Sequence, residues 1–327
     1  MAARYRPACG GEAVIVQDAI RVFTGNANPG LAKAICDHLS IPLGEASISR
    51  FSNENIFVQV CENVRERDVF VVQPLSSPVS ENLVELLIMI DALKGASARR
   101  ITAVVPYYSY ARSDKKDMPR ISIAGRLIAD LLVTAGANRI LTMTLHSEQV
   151  QAFFRCPADH LSATPILCNY FSKLDLDNCV ALAADAGSAR RAGAYATRLN
   201  IPLAFVDKRR LGDTEVEARA IVGEVRGKTV LYFDDEIATG SSLLETIRFL
   251  DRFGVGDIYV GVTHGVLTGE AVKQIEASRI KQVVITDTVP LPPEKRSEKI
   301  VQLSVAPLFA QAIERIHTGE SVSEIFE

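Results

Sequence analysis

Between Val230 and Leu250 the chain runs from an apolar stretch through two acids and a small polar turn into an amphipathic helix. That order prescribes a strand–turn–helix unit. Val230 to Phe233 have the aliphatic and aromatic composition of a buried parallel strand. Asp234 and Asp235 stand at its carboxyl end. Thr239, Gly240, Ser241 and Ser242 then lead into Leu243, Leu244, Ile247 and Leu250, spaced as one apolar helix face. A tight turn feeding a helix start offers free backbone N–H groups and the positive end of the helix dipole, which attract a phosphate. The carboxylates beside it can accept hydrogen bonds from sugar hydroxyls or hold a divalent cation. A plain turn with an acidic cap needs one Asp. Two acids and three hydroxyls within nine residues describe a sugar-phosphate site instead.

The same strand–helix rhythm extends along the chain. Strand-like runs fall at Ile20 to Thr24, Asp68 to Gln73, Ile101 to Val105 and Ile140 to Met143. A helix opened by Asn28 and Pro29 follows the first, with Leu31, Ala34, Ile35 and Leu39 on one face. Ser80 is expected to cap a helix through Leu93, and Ile121 to Ala135 forms another. In the second half strands are expected at Val180 to Ala184, Leu203 to Val206, Ile258 to Val262 and Val283 to Thr286. Helices are expected at Ser188 to Leu199 and Pro307 to His317. Alternation of this kind predicts an α/β fold with parallel sheets. The similar halves predict two domains, residues 18–160 and 161–327. Asp114 to Pro119 and Arg209 to Glu217 read as charged loops of the sort that border active sites.

At 327 residues the chain can bury a core of that size. A net charge of -3 gives no basic footprint, so no nucleic-acid partner is expected. Six scattered cysteines without a CxxC pair read as core thiols of a reducing compartment. No apolar stretch reaches ~18 residues, and the first seventeen residues, which lack a secretory pattern, read as a weakly ordered extension. No membrane partner is therefore expected, and the cytoplasm is the expected location.

Further segments place polar groups at strand ends, where α/β sheets bind ligands. Asp207-Lys208-Arg209-Arg210 puts three cations there, as transfer of a phosphoryl or pyrophosphoryl group requires. Arg112, Lys115 and Lys116 follow the aromatic cluster Tyr107, Tyr108 and Tyr110. His146 ends the strand-like RILTMTLH, where an imidazole serves either structure or an anion or cation site. Asp185 ends an apolar run before a small-residue turn, as a helix cap or as a partner of the acids at 234 and 235. In RFSNEN, Phe51 is either a core anchor or a platform for a base.

The segment from Val230 resembles the ribose-5-phosphate loop of the phosphoribosyltransferase fold. Taken in order, FTGNANPGLAKAI, ELLIMIDALKGASA, PYYSYAR, TLHSEQVQAFF, DKRR, FDDEIATGSS and LSVAPLFAQAI resemble the ribose-phosphate pyrophosphokinase family. The resemblance runs from about Arg21 to the carboxyl terminus. It implies two tandem phosphoribosyltransferase-like domains and a homo-oligomer, a hexamer built from dimers. It implies an enzyme that transfers pyrophosphate from ATP to the C1 hydroxyl of ribose 5-phosphate, with Mg2+ as cofactor, for nucleotide, histidine and tryptophan biosynthesis. The N-terminal domain would supply the nucleotide side and oligomer contacts, the C-terminal one the sugar-phosphate loop.

By the same resemblance, Lys208 and Arg210 are catalytic. Phe51, Asn53, Asn55, Arg112, Ser113, Asp114 and His146 bind ATP. Asp234, Asp235, Thr239, Gly240, Ser241 and Ser242 bind ribose 5-phosphate, and His146 and Asp185 serve the metal. The chain departs from the familiar pattern at Ser52-Asn53-Glu54-Asn55, where Ser-Asp-Gly-Glu is usual. It departs again at Ser113, where Gln is common, and at Ala238, where a third Asp is common. Ser241-Ser242 replaces the usual Gly-Thr. These departures keep open two alternatives, a catalytically weak regulatory homologue and a phosphoribosyltransferase. Ser304, before the last helix, reads equally as a helix cap or as part of a regulatory anion site.

Overall fold

Two parallel sheets pack against one shared apolar layer in a computed structural model of the chain, which describes residues 20–210 and 216–326. The first sheet comes from β1 (Ile20–Thr24), β4 (Asp68–Val72), β5 (Arg100–Val105), β6 (Arg139–Met143) and β7 (Ala158–Leu161), in that spatial order and all parallel. Helices α1 (Pro29–Leu39), α2 (Val79–Gly95) and α3 (Ala124–Ala135) make its crossovers. Every residue of β4, DVFVV, is buried, as expected of a parallel strand covered on both faces. Between α1 and β4 stands a separate antiparallel hairpin, β2 (Ala46–Arg50) with β3 (Ile56–Val60).

After α4 (Thr164–Phe171) a second sheet begins. It uses β8 (Cys179–Ala183), β9 (Leu203–Arg210), β10 (Val216–Val222), β11 (Thr229–Ile237), β12 (Ile258–Gly265), β13 (Ile280–Thr286) and β14 (Ile300–Leu303). Its order is β10-β9-β8-β11-β12-β13-β14, and only β10 runs antiparallel to its neighbour. Helices α5 (Ala189–Leu199), α6 (Ser241–Leu250) and α7 (Ala271–Ala277) connect these strands, and α8 (Ala306–Thr318) closes the chain. Ala192, Tyr195, Ala196 and Leu199 form the buried stripe of α5. Tyr195 stacks on Phe233 at 4.1 Å between centroids.

The shared layer joins Val22, Phe70 and Leu141 of the first sheet to Ala181, Leu231 and Phe233 of the second. Phe309 and Ile313 of α8 enter the same layer and meet Leu31 and Ile35 of α1. Truncating a buried Phe such as Phe309 costs roughly 3–5 kcal/mol. Arg100 donates to the Ile316 carbonyl at 2.9 Å, and His317 lies 2.8 Å from Asp68. The last helix is thus fastened to the first sheet.

Asn28 caps α1 as expected, accepting from the Leu31 N–H at 3.2 Å. Ser80 does not cap α2: Pro78 holds the N-cap position without a side-chain bond, and Ser80 lies within the first turn. Helix α3 starts at Ala124, later than expected, because the Ser113 hydroxyl and carbonyl accept from the N–H groups of Ala124 and Gly125, each at 3.1 Å. Arg209 and Arg210 belong to β9, and Val216 and Glu217 to β10, since the two strands pair antiparallel. The remainder of that expected loop, residues 211–215, and the N-terminal extension lie outside the described residues. Strand β6 ends at Met143 and not at His146, because Thr144 turns to φ 42°, where a strand cannot continue. Ser304 accepts from the Ala306 N–H at 3.2 Å, which is the helix-cap reading. No described helix is long and apolar enough to cross a membrane.

Candidate active site

The carboxyl ends of β6, β8, β9 and β11 open into one cleft of about 960 Å³. Its floor is the end of β11, which runs four residues past the apolar core and carries Asp234, Asp235 and Glu236. Its rim is the start of α6. Gly240 takes the N-cap place at φ 78°, left-handed backbone that glycine adopts without strain, and the preceding Thr239 Oγ1 accepts from the Ser241 N–H at 3.4 Å. Thr239 Oγ1 and Ser241 Oγ stand 3.0 Å apart beside it. Thr239, Gly240, Ser241 and Ser242 all line the cleft, as do Arg112, His146 and Asp185.

The acid pair is not symmetric. Asp235 is 4% exposed, and its two oxygens are engaged by Arg191 Nη1 at 2.6 Å and His146 Nδ1 at 2.7 Å. Arg191 also donates to the His146 carbonyl at 2.9 Å. Burial pushes the Asp235 carboxyl up, but the His146 hydrogen bond and the Arg191 guanidinium outweigh it and hold the group well below the usual range. Asp234 is more open, at 22%. It accepts from Tyr232 OH and from the Asp235 N–H, each at 2.9 Å. Burial, then the neighbouring carboxylate, push it up. The Asp235 hydrogen bond raises His146 against the opposing effect of burial, favouring its imidazolium form.

Asp185 Oδ1 accepts from the Ser188 N–H at 2.8 Å, the capping role, and Oδ2 has no partner among the described residues. No group of three or more His, Cys, Asp and Glu side chains converges on a metal position among the described residues. The donor set of Mg2+ is carboxylate, phosphate and water, with one or two protein carboxylates. Asp185 fits that set through its spare oxygen. His146 has Nδ1 held by Asp235, the arrangement by which a carboxylate orients an imidazole so that its other nitrogen faces a metal.

The remaining candidates divide by position. Lys208 and Arg210 lie on β9 directly after Asp207, which lines the cleft, but their side chains lie outside the described residues. Phe51, Asn53 and Asn55 sit at the tip of the β2–β3 hairpin and do not line this cleft. Phe51 is 58% exposed and meets Phe57 edge-on at 5.5 Å. Asn53 Oδ1 accepts from the Asn55 N–H at 3.3 Å. Ser113 and Asp114 do not line the cleft either, whereas Lys115 does. Arg191 and Glu236 are among the cleft residues that escaped the sequence reading. Arg191 lies three residues after Ser188, so a basic side chain one turn into a helix behind an acidic strand end was its available signal.

The sequence matches the N-terminal domain of ribose phosphate pyrophosphokinase over residues 20–136 and the phosphoribosyl synthetase-associated domain over residues 210–327. A ribose-phosphate pyrophosphokinase of Deinococcus radiodurans is 55% identical over 310 residues, covering 93% of this chain and 97% of its own length. One from Caldanaerobacter subterraneus is 48% identical, covering 94% and 98%. The crystal structure of phosphoribosylpyrophosphate synthetase from Mycobacterium smegmatis superposes with a TM-score of 0.87 at 39% identity, covering 92% of this chain and 99% of that one. With matched domains at both ends and relatives aligned over nearly their whole length, the chain belongs to the ribose-phosphate pyrophosphokinase family.

Proposed function

We propose that the chain transfers the pyrophosphoryl group of ATP to the C1 hydroxyl of ribose 5-phosphate, giving phosphoribosyl pyrophosphate and AMP. One observation carries this: a helix start with glycine at its N-cap and hydroxyls on both sides of it faces a set of cations across a single acid-floored cleft. The helix start at Thr239 to Ser242 suits the 5-phosphate. Asp234, the open acid, suits the ribose hydroxyls, while Asp235 fixes His146 and Arg191. Arg112, Lys115 and His146 then face the triphosphate. The C1 oxygen forms a bond to the β-phosphorus as the bond from that phosphorus to the α–β bridging oxygen breaks; the bridging oxygen leaves on AMP with the electron pair, and the C1 hydroxyl proton passes to water. Charge shifts onto phosphate oxygens during that step, so positioned cations lower its barrier without a covalent intermediate.

Asp185 would hold Mg2+ together with the substrate phosphates, and the ion would offset part of their charge. Lys208 and Arg210, arriving on β9, would close over the transferring group. The hairpin with Phe51, Asn53 and Asn55 does not line its own chain's cleft, so a second copy of the chain would bring its hairpin to the adenine. That arrangement fits a homo-oligomer, and a hexamer of dimers is the form proposed, working in the cytoplasm. A phosphoribosyltransferase is not favoured, since the relatives align over the full two-sheet length. Incubating purified protein with ATP, Mg2+ and ribose 5-phosphate should yield AMP in step with phosphoribosyl pyrophosphate. ATP hydrolysis without sugar, or no AMP at all, overturns the reading.

A further inference from the structure

Glu236 is a buried acid. Its side chain is 4% exposed, at the end of a strand whose preceding residues form the core. A carboxylate so placed is costly unless paired. Both oxygens are paired, and both partners come from the first sheet. Oε1 forms an ion pair with Arg112, 2.8 Å from Nε, and Oε2 accepts from Tyr107 OH at 3.2 Å. Tyr107 is itself buried, against His264 at 4.8 Å between ring centroids. Arg112 ends the short turn Ser109–Arg112, and its side chain, 52% exposed, lines the cleft.

We infer that Glu236 is a positioning residue for nucleotide binding: by holding Arg112 through Nε, it aims the two terminal nitrogens at the anion in the cleft. An ion pair on the Nε side leaves the Nη groups for bidentate contact with phosphate oxygens. Without that pair Arg112 is a long, half-exposed side chain that must be ordered each time the nucleotide binds. Tyr107 fixes the carboxylate's second oxygen and hence its plane. Burial raises Glu236, and Arg112 opposes it, consistent with a carboxylate that depends on its guanidinium. The groups around Glu236 are Arg112, Tyr107, Asp235 and His146. The segment carries Ala238 and places its third acid at 236.

This inference rests on the assignment of Arg112 to the triphosphate, and the test separates the two. Steady-state kinetics are measured for Glu236→Gln, Arg112→Ala and the double variant, with each substrate varied in turn. Arg112→Ala should raise KM for ATP at least about 10-fold. Glu236→Gln, which keeps shape but loses charge, should raise KM for ATP about 5-fold, leaving KM for ribose 5-phosphate within about 2-fold. In the Arg112→Ala background Glu236→Gln should add nothing. No effect of Arg112→Ala overturns the nucleotide assignment, and the inference with it. A full effect of Arg112→Ala with none of Glu236→Gln, or the same Glu236→Gln penalty in both backgrounds, overturns the inference alone. If Glu236→Gln does not fold, Tyr107→Phe, which frees the carboxylate plane, should still raise KM for ATP selectively. Its failure to do so counts against the inference equally.

Discussion

His264 Nε2 donates to the carbonyl of Thr144 over 3.0 Å, so a fully buried imidazole of the second sheet holds the loop that carries His146. Donation from Nε2 fixes the tautomer and leaves Nδ1 to face the Thr288 hydroxyl at 2.9 Å. Burial pulls this imidazole down to about 4, against the two backbone carbonyls that favour its charged form. The folded protein therefore refuses a proton that the unfolded chain accepts below about 6.5. Stability should be complete above pH 6.5 and fall as pH drops towards 4, by an amount on the order of 3 kcal/mol. Urea unfolding between pH 4.5 and 7.5 should show this slope, and His264→Gln should flatten it. An equal slope in the variant would assign the acid loss to other groups.

Arg191 and Asp235 should behave as an unequal pair. Removing the guanidinium leaves a carboxylate that is 4% exposed with His146 on one oxygen alone, whereas removing the carboxylate leaves a guanidinium that is 26% exposed, reaches water and keeps Asp234 at 3.4 Å. Breaking a buried pair from one side costs about 3–5 kcal/mol. Arg191→Leu should approach that range in denaturant unfolding, and Asp235→Asn should cost less.

Asp234 should affect catalysis without affecting folding. Asp234→Asn keeps the side-chain shape beside Tyr232 but loses a charge-assisted hydrogen bond worth roughly 1.5–3 kcal/mol. KM for ribose 5-phosphate should rise about 10-fold or more, with the unfolding midpoint nearly unchanged. Calorimetry with an ATP analogue should find its binding intact. Equal loss of both ligands would mean that they share a metal ion through this acid.

Lys208 and Arg210 are proposed to act when charge redistributes, so their removal should appear in kcat. Lys208→Ala or Arg210→Ala is expected to lower kcat at least ~100-fold with a smaller change in KM. A loss confined to KM would make them binding residues.

Asn53 and Asn55 stand where carboxylates are usual in the resemblance noted above, and Asn53 already spends its oxygen on the hairpin turn. Its amide nitrogen is then the group left to meet a base, and it can donate to a guanine carbonyl. Asn53→Asp with Asn55→Glu should sharpen the ATP-over-GTP ratio of kcat/KM about 5- to 150-fold, the effect of a ~1–3 kcal/mol mismatch. An unchanged ratio would place base selection at Phe51 or on backbone groups.

The alternating strands and helices were legible because β4, β8 and β11 are apolar runs bounded by turn residues. The edge strands β7 (ADHL) and β14 (IVQL) were not, being short, partly polar and paired on one side only. Helix α4 escaped because the eight residues TPILCNYF are nearly all apolar and show no face. In the site, the turn after Asp234 and Asp235 could be read from local spacing. Their inequality could not, because Arg191 lies 44 residues before Asp235 and His146 lies 89 before it. Glu236 likewise looks like strand filler until Tyr107, 129 residues earlier, is folded against it.

The fastening of α8 to the first sheet sets an order on synthesis. Leu31 and Ile35 share their apolar layer with Phe309 and Ile313, residues the ribosome adds after every described strand of both sheets. A nascent chain halted before Ala306 holds every strand of both sheets but leaves that face of α1 wet, along with the anchor points at Asp68 and Arg100. The apolar layer over the first sheet is therefore completed only once α8 has left the ribosome, and until then that face of α1 stays open to water.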